Sequence, residues 1–284
     1  MGIVIGIDIG GSTTKIAGFR GRDPFPPQMV TSSDPVSSLF GAFGKFTYDN
    51  KIPTSDIERI VITGVGAAAV ESPIFGAPTY RAAEFDCIGY GALYLSSLEK
   101  AVIASMGTGT ALVYADGKKI EYLGGTGVGG GTLVGLSNYM LGMNHVGNIM
   151  HLAQTGSAEQ VDLTIGDVMQ GSSLPQLPAD FTASNFGKIS ETASQSDIAM
   201  GIFNLVAQVV GMFCVFASRM VHDSNVVLTG NLSKAEIMHP IFDAMAKQFR
   251  VNFIIPENSG YATALGAALC FDKGAKLEQI LSHS

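Results

Sequence analysis

The chain opens with an apolar run at residues 3–7, rich in β-branched side chains and ended by Asp8 and the turn residues Gly10-Gly11. A second apolar run at 16–19 follows Ser12-Thr13-Thr14-Lys15, so the pair predicts a β-hairpin with a polar, glycine-rich tip. Residues 57–63 predict a strand closed by Gly64, and 101–105 a strand running into Gly107-Thr108-Gly109. Residues 111–114 and 119–122 flank Asp116-Gly117 as a second hairpin, 225–228 predict a strand ending at Thr229-Gly230-Asn231, and 251–255 predict the last strand. Helical character falls on 37–48, on 84–98, from near Thr132 (Leu133, Leu136, Met140 and Leu141 share a face), on 199–218 and on 262–269. Pro175-Gln176-Leu177-Pro178 predicts a loop.

A strand followed by a glycine turn and a second apolar segment occurs early (Asp8-Ile9-Gly10-Gly11) and again later (Gly107-Thr108-Gly109). No low-complexity linker separates the two. The expected architecture is α/β, with two halves of similar construction, 1–103 and 104–284, sharing a close hinge.

Composition narrows the partners. With 46% hydrophobic and 14% charged residues in 284, the chain has ample apolar side chains for a core and is not a disordered sequence. The net charge of −7, with no basic run longer than Lys118-Lys119, argues against nucleic acid. Cys87, Cys214 and Cys270 lie far apart in sequence and form no Cys-x-x-Cys, which argues against a structural zinc or an iron–sulfur site and fits a reducing, cytoplasmic setting. Residues 199–218 carry no charge over about the length that spans a bilayer. Asn204 and Gln208 inside the run, and the lack of a basic flank, make it a helix of the core or of a subunit interface rather than a membrane span.

The candidate chemistry clusters at the glycine turns. A hairpin tip of Gly, Ser and Thr directs N–H groups and hydroxyls toward one point, which suits a phosphate; it is also what any tight hairpin contains. Two such tips in opposite halves form a clamp for a nucleotide, although neither is a Walker or dinucleotide fingerprint. Asp8 ends an apolar strand, either as a turn residue or as a carboxylate beside magnesium, and Lys15 is either ordinary surface or a neutraliser of phosphate charge. Glu84-Phe85-Asp86 opens a helix; such acids complement the helix dipole, or one of them accepts a proton from an attacking hydroxyl. The five histidines lack metal spacing, and neither Ser12 nor Ser105 has a nucleophile's His/Asp pattern.

In order along the chain, Gly6-Ile7-Asp8-Ile9-Gly10-Gly11-Ser12 with Lys15, Thr63-Gly64-Val65-Gly66, Glu84-Phe85-Asp86-Cys87, Gly107-Thr108-Gly109-Thr110 and the glycine run 125–131 resemble the ASKHA superfamily of acetate and sugar kinases, actin and the large heat-shock chaperones. Within it the chain resembles the type II pantothenate kinases, an assignment sharpened by Ala183-Ser184-Asn185-Phe186-Gly187, Val227-Leu228-Thr229-Gly230-Asn231 and the Gly260-Tyr261-Ala262-Thr263 segment. The resemblance implies two ribonuclease-H-like halves with ATP in the cleft, and phosphorylation of pantothenate, the first step of coenzyme A biosynthesis. It implies Glu84 as the base, Asp8 near magnesium, and phosphate contacts at Gly10, Gly11, Ser12, Thr13, Lys15, Gly107, Thr108 and Gly109. It also implies Gly129, Gly130 and Gly131 beside the nucleotide, Gly64, Tyr122 and Tyr261 toward the substrate, and a homodimer packed through long helices of the second half.

One position departs from the family. Where its members carry an Arg shortly before the glycine run, this chain has Tyr122, which cannot give a bidentate charged contact. Either Arg81 or Lys119 takes that role, or the acceptor is another alcohol or a sugar. The opening motif also resembles the dehydratase-activating ATPases, whose shared iron–sulfur cluster needs closely arranged cysteines that this sequence lacks. An actin-like structural role has only the fold in its favour.

Overall fold

The computed structural model describes residues 2–11, 13–31, 34–169 and 178–281. The first sheet is built on β1 (Ile3–Ile9), paired antiparallel with β2 (Thr13–Arg20), which also carries the short β3 (Asp23–Pro24) and β4 (Gln28–Thr31). On its other side β1 runs parallel to β5 (Ile57–Thr63), and β5 parallel to β6 (Thr79–Ala82). The second sheet repeats the plan. Its β7 (Ala101–Met106), β8 (Thr110–Ala115) and β9 (Ile120–Thr126) form an antiparallel meander, and β7 is extended in parallel by β12 (Asn225–Thr229) and then β13 (Asn252–Ile254). An antiparallel meander continued by parallel strands in each half is the ribonuclease-H-like arrangement. Between the meander and β12, β10 (Leu163–Thr164) and β11 (Thr182–Ser184) form a small separate ribbon.

Alternation decides which side chains face which layer. Ile3, Ile5, Ile7 and Ile9 point to one face of the first sheet and pack on Leu39, Phe43 and Phe46 of α1 (Pro35–Asp49). That helix is started by Asp34, whose carboxylate accepts from the Ser37 N–H at 2.6 Å. The opposite face, with Ala17 and Phe19, packs on α8 (Ala262–Leu269). In the second half, Ile88 and Ala92 of α2 (Glu84–Ser96) cover one face of the sheet. The other face lies under α3 (Gly130–Leu141), α4 (Val146–Ala153), the long α6 (Gln195–Val221) and α7 (His239–Phe249), while the short α5 (Ile165–Met169) follows the β10 strand.

Helix α6 is long and apolar enough to cross a bilayer by length and composition, yet 61% of its most apolar window is buried inside the protein. The two amide side chains in the middle of the helix have internal partners. Asn204 donates to the buried Asp162 carboxylate at 2.7 Å, and Gln208 donates to the Thr182 hydroxyl at 2.8 Å. The same carboxylate accepts from the Phe186 N–H at 2.8 Å, which ties the 183–187 motif to the helix. Burying this carboxylate is tolerable because hydrogen bonds surround it.

The end of the chain departs from the sequence reading in a way that bears on the domain plan. A strand beyond 251–255 exists: β14 (Leu277–Ile280) pairs antiparallel with β6 and edges the first sheet. Helix α8 likewise returns to the first sheet, so residues from the end of the chain complete the half that the chain began, and the expected break at 103/104 falls inside β7. Helices α2 and α8 cross closely between the sheets. A Cβ on Gly266 would sit 1.8 Å from the Cys87 carbonyl oxygen, so the crossing requires glycine there. This contact brings two cysteines far apart in sequence together, with Cys87 and Cys270 sulfurs 3.6 Å apart.

Candidate active site

A cleft of about 960 Å³ opens between the two sheets and is lined from both halves. Asp8 reaches it because of strand parity. The isoleucines at odd positions of β1 face α1, so Asp8 faces the α8 side. Lys15 is its cross-strand partner on β2 and shares that face; its Nζ lies 3.5 Å from Asp8 Oδ2, and both side chains are nearly buried. Burial pushes the Asp8 carboxyl above its ordinary range, and the Lys15 ammonium resists that rise. Gly10, Gly11 and Thr13 form the tip of the same hairpin and line the cleft; Ser12 lies outside the described residues.

Glu84 heads α2 and also lines the cleft. Its residue remains open to the cleft while its carboxyl is partly dehydrated by the protein behind it. That dehydration, and then the Asp8 carboxylate, raise its pKa, with Lys15 opposing. Asp8, Lys15 and Glu84 therefore form one electrostatic unit at the floor of the cleft. Next to Glu84, Phe85 stacks on Tyr122 of β9, with centroids 4.2 Å apart and planes 11° from parallel.

The opposite wall is the Gly107-Thr108-Gly109 turn that joins β7 and β8. Helix α3 starts directly against it. Gly130 N–H donates to the Gly107 carbonyl at 2.8 Å, and Gly131 N–H to the Thr108 carbonyl at 2.8 Å. Gly130 and Gly131 line the cleft, but Gly129 supports the turn from behind, where a Cβ would come within 2.8 Å of Gly109.

Several sequence expectations are revised by this geometry. Tyr261 does not line the cleft; its ring lies under the Lys234 ammonium, 4.4 Å from centroid to Nζ. Neither Arg81 nor Lys119, the candidates for the family arginine's role, lines the cleft. Arg81 donates to the Ala67 and Val70 carbonyls and pairs with Glu278 at 2.9 Å, while Lys119 pairs with Glu121 at 2.6 Å. Both are held by partners outside the cleft.

Other lining residues were not singled out as site residues, including Ser105, Thr126, Gly230, Asn231 and Thr263. A signal for two of them lies in an internal repeat. Val61-Ile62-Thr63-Gly64 and Val227-Leu228-Thr229-Gly230 close equivalent strands, and Asp8 pairs in register with Thr63 just as Ser105 does with Thr229. Ser105 is thus the counterpart of Asp8 in the second half, and Gly230 that of Gly64.

The Fumble family profile matches residues 98–270. A type II pantothenate kinase of Bacillus anthracis is 30% identical over 93% of this chain and 96% of its own length. Among solved structures, the activator of the 2-hydroxyisocaproyl-CoA dehydratase from Clostridium difficile, with bound ADPNP, superposes with a TM-score of 0.67 at 21% identity, covering 95% of each chain. A ROK family glucokinase from Streptomyces griseus, in complex with glucose and AMPPNP, gives 0.59 at 16% identity over 94% of this chain and 98% of its own. These two likenesses show the ASKHA fold shared by ATPases and sugar kinases. The sequence match goes further: the chain belongs to the Fumble family, that of the type II pantothenate kinases.

Proposed function

We propose that this kinase transfers the γ-phosphoryl group of ATP to the primary hydroxyl of pantothenate, the opening step of coenzyme A biosynthesis. The observation that carries the reading is Glu84 at the head of α2, within electrostatic reach of Asp8 and Lys15, in a cleft walled by two glycine turns. Glu84 takes the hydroxyl proton as the alkoxide oxygen bonds to the γ-phosphorus. The bond from that phosphorus to the β–γ bridging oxygen breaks, and ADP leaves with the electron pair. Gly10, Gly11, Thr13 and Gly107 through Gly109 offer close backbone approach to the phosphates, Lys15 offsets their charge, and Gly130 and Gly131 flank the nucleotide. Ser12 and Gly129 are assigned to the nucleotide by resemblance, and Gly64 and Tyr122 to the acceptor.

A magnesium ion suits this donor set. Among the described residues no group of three or more His, Cys, Asp or Glu side chains forms a metal cage. Magnesium characteristically needs only one or two carboxylates beside substrate phosphates and water. Asp8 would hold it, and the ion would supply positive charge to offset the negative charge of the transferring phosphoryl group.

The activator reading is less well supported, because Cys87, Cys214 and Cys270 are all fully buried within the chain, away from any surface where two subunits could share a cluster. We further assign a cytoplasmic homodimer; the outer side of α6 leaves Phe213, Phe216 and Met220 exposed, and light scattering tests it.

The test of the reaction is phosphopantothenate formation by the wild type and by Glu84→Gln. Losing a positioned base should lower kcat by roughly 100-fold or more while ATP binding persists. Near-normal turnover of Glu84→Gln would overturn the assignment.

A further inference from the structure

The charged side chains lining the cleft are Asp8, Lys15 and Glu84 among the described residues. The single cation of the three is already engaged with Asp8 at 3.5 Å. Apolar side chains line the same cleft: Val65, Ile88 and Phe85, the last stacked on Tyr122. Phe85 is 37% exposed and Tyr122 51%, so the aromatic pair is an open surface of the cleft rather than core. The other cations near the cleft lie outside the lining: Arg81 pairs with two carbonyls and Glu278, Lys119 pairs with Glu121 at the surface, and Lys234, which feels the Lys15 charge, sits over the Tyr261 ring.

This arrangement discriminates by charge. An acceptor reaching past Glu84 lays its distal end along the Phe85–Tyr122 platform. A carboxylate arriving there gives up water, meets no lining cation other than the already paired Lys15, and adds negative charge beside Glu84 and Asp8. An amide or a short alkyl group stacks on the rings and incurs neither penalty. Tyr122 can offer a carboxylate one hydrogen bond, which is weaker compensation than a guanidinium's paired, charged donors.

The geometry points to Tyr122, stacked on Phe85, as the residue that makes this a kinase for pantoyl alcohols with an uncharged distal end, preferring a pantothenamide to pantothenate itself. The inference rests on the function proposed above and refines its acceptor.

The experiment compares kcat/KM for pantothenate and for its N-propyl amide, which share the reacting hydroxyl and differ at the distal end. The wild type should favour the amide by about tenfold or more, and Tyr122→Arg should raise pantothenate turnover and shrink that ratio by about tenfold. Titration with a non-hydrolysable ATP analogue establishes that the variant is folded, and the wild-type ratio is decisive without it. A wild type that uses pantothenate as well as or better than the amide overturns this inference and leaves the kinase reading standing. An unchanged ratio in folded Tyr122→Arg removes Tyr122 as the determinant. If neither compound is phosphorylated, the proposed function itself fails, and this inference with it.

Discussion

Gly64 and Gly230 occupy the same place in the two halves of the molecule. Each follows a strand ending in Thr, each has a left-handed φ (+88° and +86°), and each lies against the end of the neighbouring first strand. A Cβ on Gly64 would stand 2.6 Å from the Ile9 carbonyl oxygen and 2.7 Å from Asp8 Oδ1; one on Gly230 would stand 2.5 Å from the Met106 carbonyl oxygen. The two turns thus hold the two glycine-rich tips in place from beneath.

Replacing either glycine combines backbone strain with collision against main-chain atoms. Gly64→Ala and Gly230→Ala should each destabilise the fold by more than about 1 kcal/mol. Gly64→Ala should in addition displace the Asp8 carboxylate and weaken turnover beyond its effect on stability. Urea unfolding alongside steady-state kinetics separates the two effects; a Gly64→Ala protein of wild-type stability and activity would contradict the geometry.

The Asp8–Lys15 pair lies in a nearly buried setting, where removing one partner leaves an uncompensated charge. Lys15→Met should cost about 3 kcal/mol, and Asp8→Asn with Lys15→Met together should cost less than the sum of the single changes. A double-mutant cycle by chemical denaturation measures the coupling, and strict additivity would show the two groups to be independent.

Glu84 titrates above its ordinary 4.5 because of partial burial and the Asp8 charge. As a base it works ionised, so the acidic limb of kcat should lie above the usual glutamate range and rise with pH. Stability runs the other way. Between 4.5 and the raised folded-state pKa the folded chain holds more protons than the unfolded one, so stability falls as pH rises through that window. Glu84→Gln should lose this component and be at least as stable as the wild type at neutral pH while nearly inactive. Thermal melts of both proteins across the acidic range check it.

All three cysteines are fully buried, and dehydration pushes the Cys214 thiol up to about 12. The Cys87 thiol is raised as well, first by its contact with Cys270 and then by burial. Thiolate is the reactive form, so native protein at pH 8 should resist a thiol-specific reagent, and all three thiols should appear on unfolding in guanidinium. Rapid labelling of any one in the folded state would show that the α2–α8 or α6 packing opens readily.

Much of the molecule was legible in the sequence because its signals are short-range. Short apolar runs and glycine turns marked the β1–β2 and β8–β9 hairpins, and 262–269 coincides with α8. The cleft contains Asp8, Glu84 and the two glycine tips because each sits at the end of a strand or the start of a helix, where local pattern speaks clearly. Strand β14 was not legible: Leu277–Ile280 has little alternation of its own and becomes a strand by pairing with the exposed edge of β6. The meeting of Cys87 with Cys270, the commitment of Arg81 to Glu278, and the stack of Phe85 on Tyr122 likewise join residues distant in the chain. From sequence alone came the strands, turns and helices with strong local signals, through apolar clustering, side-chain spacing and backbone preference. Which of their side chains share a cleft, and which cations remain free to serve it, was decided by tertiary packing, because only the folded chain brings those partners within reach of one another.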